Sequence, residues 1–75
     1  MNLNPNIKFV LQDKNVILLD LTSEQFFLLT DDIDYLFFSD IEKGENVNNA
    51  LKKLKNHQDY QQLITEYKNF KILEN

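Results

Sequence analysis

Catalysis in this sequence would have to come from few side chains: the hydroxyls of Thr22, Ser23 and Thr30, the imidazole of His57, and the carboxylates Asp31, Asp32 and Asp34. A hydroxyl nucleophile needs a neighbouring base, and the chain has one histidine, no cysteine, no G-x-S-x-G turn and no phosphate-binding glycine loop. The acidic triplet could mimic a carboxylate pair for acid-base work, yet acids in a first helical turn are already explained by the positive end of the helix dipole. His57 falls in the polar stretch Asn56-His57-Gln58, where an exposed histidine is the ordinary case. A lone His cannot hold zinc or copper, thiolates are absent, and the acids lack the D-x-[DN]-x-[DN]-G order of a calcium loop. The expectation is a non-enzyme that needs neither metal nor cofactor.

Charge bears on partners. The net charge is −4, from eight Lys, no Arg and twelve acids, a balance opposed to general nucleic-acid affinity. Residues 1–45 carry three Lys against nine acids, and residues 46–75 carry five Lys against three. A charged partner would therefore be sorted by which half it touches.

Seventy-five residues make one domain, 1–75, and a chain of this size buries only about 60% of its unfolded surface. Such a core supplies roughly 3–5 kcal/mol, so help would come from a protein partner, there being no disulfide or metal. An apolar fraction of 43% and nine aromatics (six Phe, three Tyr) argue against disorder. The start, MNLNPNIKF, has no signal-peptide pattern, no apolar run approaches a membrane span, and the absence of cysteine suits the cytoplasm.

The first half reads as strands and the second as helices. IKFVLQ (7–12) and VILLDL (16–21) flank the polar turn Asp13-Lys14-Asn15, and QFFLL (25–29) follows a second polar turn, Thr22-Ser23-Glu24. Thr30 suits a helix N-cap, followed by Ile33, Leu36, Phe37 and Ile41 at helical spacing and a left-handed stop at Gly44. Asn46 caps a second helix bearing Val47, Ala50, Leu51 and Leu54, and a third begins near Asp59 with Tyr60, Leu63, Ile64 and Tyr67. The fold class expected is α+β: a three-stranded antiparallel sheet followed by three helices, similar to a winged helix-turn-helix.

The sheet should show function, because its strands are apolar on both faces. Ile17, Leu19 and Leu21 oppose Val16 and Leu18, and Phe27 and Leu29 oppose Phe26 and Leu28, more than three short helices can cover. Phe26 and Leu28 could pack under the N-terminal segment or under Phe70 to Leu73. Alternatively the third strand is an open edge that accepts an extended peptide. The same edge could pair with its own copy in a homodimer.

VILLDL-TSEQ-FFLLT followed by an apolar helix resembles the PqqD-like peptide-recognition elements of ribosomal peptide biosynthesis. The resemblance rests on Leu18, Leu19 and Asp20, then Phe26, Phe27 and Leu29, then the pair Leu36-Phe37, and on the element order over nearly the whole chain. The family's turn often has Gly where Glu24 stands, and its helix often starts Pro-x-Gly where Asp31, Asp32 and Ile33 stand. The resemblance implies a free-standing RiPP recognition element that binds the leader segment of a precursor peptide. The leader would add as a strand to Gln25, Phe26, Phe27, Leu28, Leu29 and Thr30. The third helix would form the wall, with Tyr60, Ile64, Tyr67, Lys68 and Lys71 lining the cleft. It further implies presentation of the leader to separate enzymes, a leader protease and a cyclase as in lasso-peptide biosynthesis. Tyr60 and Tyr67, seven residues apart, suit a core as well as a pocket. Lys52, Lys53 and Lys55 on the second helix suit a solvated face, and otherwise a winged-helix DNA-binding regulator, the alternative reading.

Overall fold

The polar triplet after Gln12 turns the chain through two left-handed residues, Asp13 (φ 53°) and Lys14 (φ 64°), whose twist matches that of the strands they join. The computed structural model describes all residues, 1–75. The elements run β1 (Asn2–Leu3), β2 (Ile7–Gln12), β3 (Asn15–Asp20), β4 (Gln25–Leu29), α1 (Asp32–Glu42), α2 (Val47–Lys53), α3 (Tyr60–Asn69) and β5 (Leu73–Glu74). The fold is α+β, with β2, β3 and β4 in one antiparallel sheet in that order. Between β3 and β4, Asp20 Oδ1 accepts from the N–H of Thr22 (2.9 Å) and Ser23 (3.4 Å), a side chain holding its own turn. Glu24 closes that turn in the left-handed region, φ 57°.

Register decides which backbone groups stay unpaired. Directly opposed residues in an antiparallel pair alternate between bonded and non-bonded. The two-residue turn makes Gln12 and Asn15 a bonded pair, and Leu21 N–H donates to Asn6 C=O at 2.9 Å, so Val10 with Ile17 and Lys8 with Leu19 are bonded pairs between them. Val16, Leu18 and Asp20 therefore aim their backbone at β4, opposite Leu29, Phe27 and Gln25. The N–H and C=O of Phe26 and Leu28 point the other way, off the sheet.

The buried face of the sheet presents Ile7, Val16 and Leu18, with Phe9, Leu11, Phe27 and Leu29 partly covered. Against it lies α1, whose buried residues are Ile33, Asp34, Phe37 and Phe38. The Phe38 ring sits 4.8 Å from Phe9 on the sheet and 5.8 Å from Tyr67 on α3. Because α1 is sandwiched between sheet and helix, its buried stripe is wider than the expected 33/36/37/41 pattern: Phe38 is inside and Leu36 is exposed. Thr30 does not cap it. The cap residue is Asp31, whose side chain makes no capping bond, while its C=O accepts from Asp34 N–H at 3.1 Å. On α2 the cap is as expected, Asn46 Oδ1 accepting from Asn49 N–H at 2.8 Å.

The small sheet β1–β5 is an addition to the expected order. Asn4 fastens it, donating its backbone N–H to Ile72 C=O (2.9 Å) and its amide Nδ2 to Lys71 C=O (2.8 Å). The two chain ends thus close over the α3 side of the core, where Ile72 and Leu73 are buried. They leave Phe26 and Leu28 uncovered.

Helices α1 and α3 end in the same motif with different residues. After α1, Glu45 N–H donates to Asp40 C=O and Gly44 N–H to Ile41 C=O; after α3, Ile72 N–H donates to Tyr67 C=O and Lys71 N–H to Lys68 C=O. The left-handed residue is Gly44 (φ 101°) in one and Lys71 (φ 57°) in the other. Only glycine takes that conformation without strain. Lys71→Gly is expected to stabilise the fold by about 0.5–1 kcal/mol, and Gly44→Ala to destabilise it by about 1 kcal/mol, in urea titrations. At Gly44 a Cβ would meet nothing within 4 Å, so backbone strain alone sets that cost.

Candidate functional site

The open edge of β4 is apolar as well as unpaired. Phe26 and Leu28 alternate with Phe27 and Leu29 along the strand, so the first two lie on the outer face and the second two turn inward. Phe26 is 71% exposed and Leu28 63%. The inward pair is half-buried, and Phe27 meets Phe70 at a ring distance of 6.0 Å, which places the C-terminal end of α3 beside β4. At the other end of the strand, Thr30 shares a cavity of about 530 Å³ with Gln62, Leu63 and Glu66 of α3. Helix α3 therefore meets the inner side of β4 at its C-terminal end, Phe70 against Phe27, while its N-terminal half faces Thr30 and the start of α1 across the cavity.

Which face of α3 forms this wall follows from helical geometry, about 100° per residue. Asp59, Gln62, Leu63 and Glu66 line the cavity and Phe70 touches Phe27, so these five residues make one stripe. The residues expected there fall elsewhere. Lys68 is on the opposite side of the helix and exposed, and Tyr60 and Ile64 pack against the core away from the stripe. Lys71 is past the helix in the left-handed turn. Tyr67 is 1% exposed and belongs to the core. Leu63 is likewise buried in the core, so the α3 side chains exposed toward the cavity and β4 are Gln62, Glu66 and Phe70.

Tyr67 does have a polar partner, and it is Asp34. The phenol donates to Asp34 Oδ1 at 2.6 Å across α1 and α3, while its ring sits 5.5 Å from Phe37. Burial, and then the hydrogen bond and charge of Asp34, push the Tyr67 hydroxyl well above its usual range. Burial likewise raises the Asp34 carboxyl above the ordinary 3.8, the Tyr67 hydrogen bond partly opposing it and the charges of Asp31 and Glu66 reinforcing it. Asp34 lies in the first turn of α1, as its place among the helix-dipole acids implies, and it is only 6% exposed.

A carboxyl whose folded pKa exceeds its unfolded value contributes stability that is fully present below the unfolded value and lost as pH rises through the folded one. Asp34→Asn keeps a carbonyl for the Tyr67 O–H and removes the charge. The variant is expected to be more stable than the parent at pH 7, with the gain vanishing as pH falls below about 4. Urea titrations at both pH values check it, and an equal loss at both would contradict the geometry.

The remaining sequence candidates are dispersed. Asp31, Asp32, Asp34, Asp59 and Glu66 line the cavity, but no three of the chain's acidic or histidine side chains group as a metal site. His57 is on its rim, and its Nδ1 accepts from Asp59 N–H at 3.1 Å, so its hydrogen bond goes to the turn before α3 rather than to a hydroxyl. Thr22 and Ser23 lie in the β3–β4 turn with their N–H groups on Asp20. On the far side of α1, Lys53 Nζ lies 3.7 Å from Asp40 and 3.9 Å from Glu45, exposed pairs worth about 0–1 kcal/mol.

Comparison of the chain with protein-family models, with curated proteins and with solved structures found no match. No helix is long and apolar enough to cross a membrane.

Proposed function

We propose that this protein binds an extended peptide by strand addition to β4 and presents it to separate processing enzymes. The peptide is the leader segment of a ribosomally made precursor, and the enzymes are the leader protease and its partners in maturation, acting in the cytoplasm. The observation that carries the reading is the free edge of Phe26 and Leu28, whose backbone donors and acceptors face away from the sheet beside exposed apolar side chains. Backbone bonds supply affinity there. Selectivity comes from alternate peptide side chains, one set meeting Phe27, Leu29 and Phe70 on the inner side and the other lying beside Phe26 and Leu28.

The resemblance to PqqD-like elements supports the identity of the peptide. Glu24, where that family often has Gly, adopts φ 57°, a conformation that suits glycine. Against the DNA-binding alternative stand the net charge of −4 and the engagement of Lys53 by two carboxylates.

The experiment is reconstitution with a precursor peptide and a leader protease of lasso-peptide biosynthesis. Leader cleavage should be faster by about tenfold or more when the protein is added. Equal cleavage with and without it would overturn the presenting role.

A further inference from the structure

The outer face of the three-stranded sheet is a separate feature from its edge. Two cross-strand rows build it: Val10, Ile17 and Leu28 in one, Lys8, Leu19 and Phe26 in the next. No helix lies on it. Val10 is 59% exposed, close to the values for Phe26 and Leu28, and Ile17 and Leu19 are half-exposed between them. An antiparallel sheet with a solvated face normally alternates polar residues onto that face, and these rows carry five apolar side chains around one lysine. None of the chain's twelve acids lies on the strand positions of this face.

We propose that this face is where two copies of the chain pack sheet on sheet. The exposed apolar side chains amount to roughly 400–500 Å² per copy, so at most about 800–1,000 Å² in a face-to-face pair, the size of a weak, concentration-dependent interface. A two-fold axis parallel to the strands, midway between the sheets, lays β2 of one copy over β4 of the other. Val10 then meets Leu28 of the second copy, small against large, and Ile17 and Leu19 meet their own counterparts near the axis. The same operation sets Lys8 against the ring of Phe26 of the second copy, where its ammonium is favoured. It also keeps the two Lys8 side chains on opposite edges, beyond a Debye length of about 8 Å at physiological salt. Side-chain shape and the separation of the two lysines thus agree on one arrangement. The backbone edge at Phe26 and Leu28 stays free in it: strand addition uses the backbone of these residues and the dimer their side chains, and Val10→Lys, off the edge strand, separates the two.

Because the chain has no cysteine, one introduced thiol reports the axis. Ile17→Cys should be coupled to its counterpart by a short bis-maleimide cross-linker of about 8 Å, suited to the spacing of packed sheets, at least tenfold faster than Thr65→Cys on the exposed side of α3. Sedimentation of the unmodified protein from about 10 μM to about 1 mM should show a monomer passing to a dimer. The exposed substitutions Val10→Lys and Leu28→Lys, checked for folding by circular dichroism, should each weaken association about tenfold. A monomer at every concentration, or equal cross-linking at positions 17 and 65, overturns the proposal. So does hydrogen-exchange protection of the Phe26 and Leu28 amides that rises with concentration, which would mean pairing through the edge instead.

Discussion

Tyr67→Ala is expected to leave the chain unfolded at room temperature. The side chain touches Phe37 and Phe38 at ring distances of 5.5 and 5.8 Å, and Phe38 in turn touches Phe9 on the sheet at 4.8 Å. Removing it takes away the α3 side of a ring cluster that reaches β2 through Phe38. Truncating a buried aromatic to alanine costs about 3–5 kcal/mol, which equals the net stability that a core of this size supplies. The loss is compounded because Asp34 keeps its buried position without the 2.6 Å bond from the phenol. Tyr67→Phe separates the two contributions: the ring stays, and the expected loss is about 1–3 kcal/mol from the unpartnered carboxylate. Urea titration followed by circular dichroism reads both. Since Tyr67 is buried rather than lining the cleft, Tyr67→Phe should bind the leader peptide with unchanged affinity once folded. A selective loss of binding at full stability would return this tyrosine to the site.

Leu28→Pro is expected to weaken peptide binding by about tenfold or more beyond the effect of Leu28→Ala, a difference of about 1.4 kcal/mol. Both variants lose the isobutyl group of Leu28, and only proline loses the N–H. That N–H points off the sheet, because the bonded partners across β3 and β4 are Val16 with Leu29 and Leu18 with Phe27. Proline is tolerated in edge strands when its nitrogen faces solvent, so Leu28→Pro should fold. Phe27→Pro removes a ladder bond to Leu18 and should not. The pair of prolines, one residue apart, tests the hydrogen-bond parity directly by circular dichroism. Binding measured by titration calorimetry then compares Leu28→Pro with Leu28→Ala, and equal affinities would remove strand addition as the mechanism.

Much of the fold was legible because local chemistry and global packing agree. Asp20 and Asn46 each make the turn or cap that their types favour, and the three strands and three helices fall within a few residues of where apolar runs between polar turns and helical spacing put them. The pairing of β1 with β5 was hidden, since two-residue strands have no periodicity and this pair depends on Asn4 reaching Lys71 and Ile72 across the chain. Asp34 was hidden for a related reason. An acid in a first helical turn has an adequate local explanation, and only the approach of Tyr67 from 33 residues away overrides it. On α3, periodicity marks apolar stripes without saying which neighbour each faces. The spacing of Tyr60, Ile64 and Tyr67 therefore points to a cleft, whereas the α3 side chains exposed toward the cavity and β4 are Gln62, Glu66 and Phe70.

The edge strand is the centre of the account, and amide hydrogen exchange along it during titration with the synthetic leader peptide is its most direct test. Free protein should already protect the Phe27 and Leu29 amides, which face β3, and leave those of Phe26 and Leu28 open. Adding the leader should protect Phe26 and Leu28 and leave α2 unchanged. Unchanged exchange at those two residues, or protection confined to α2, would contradict strand addition.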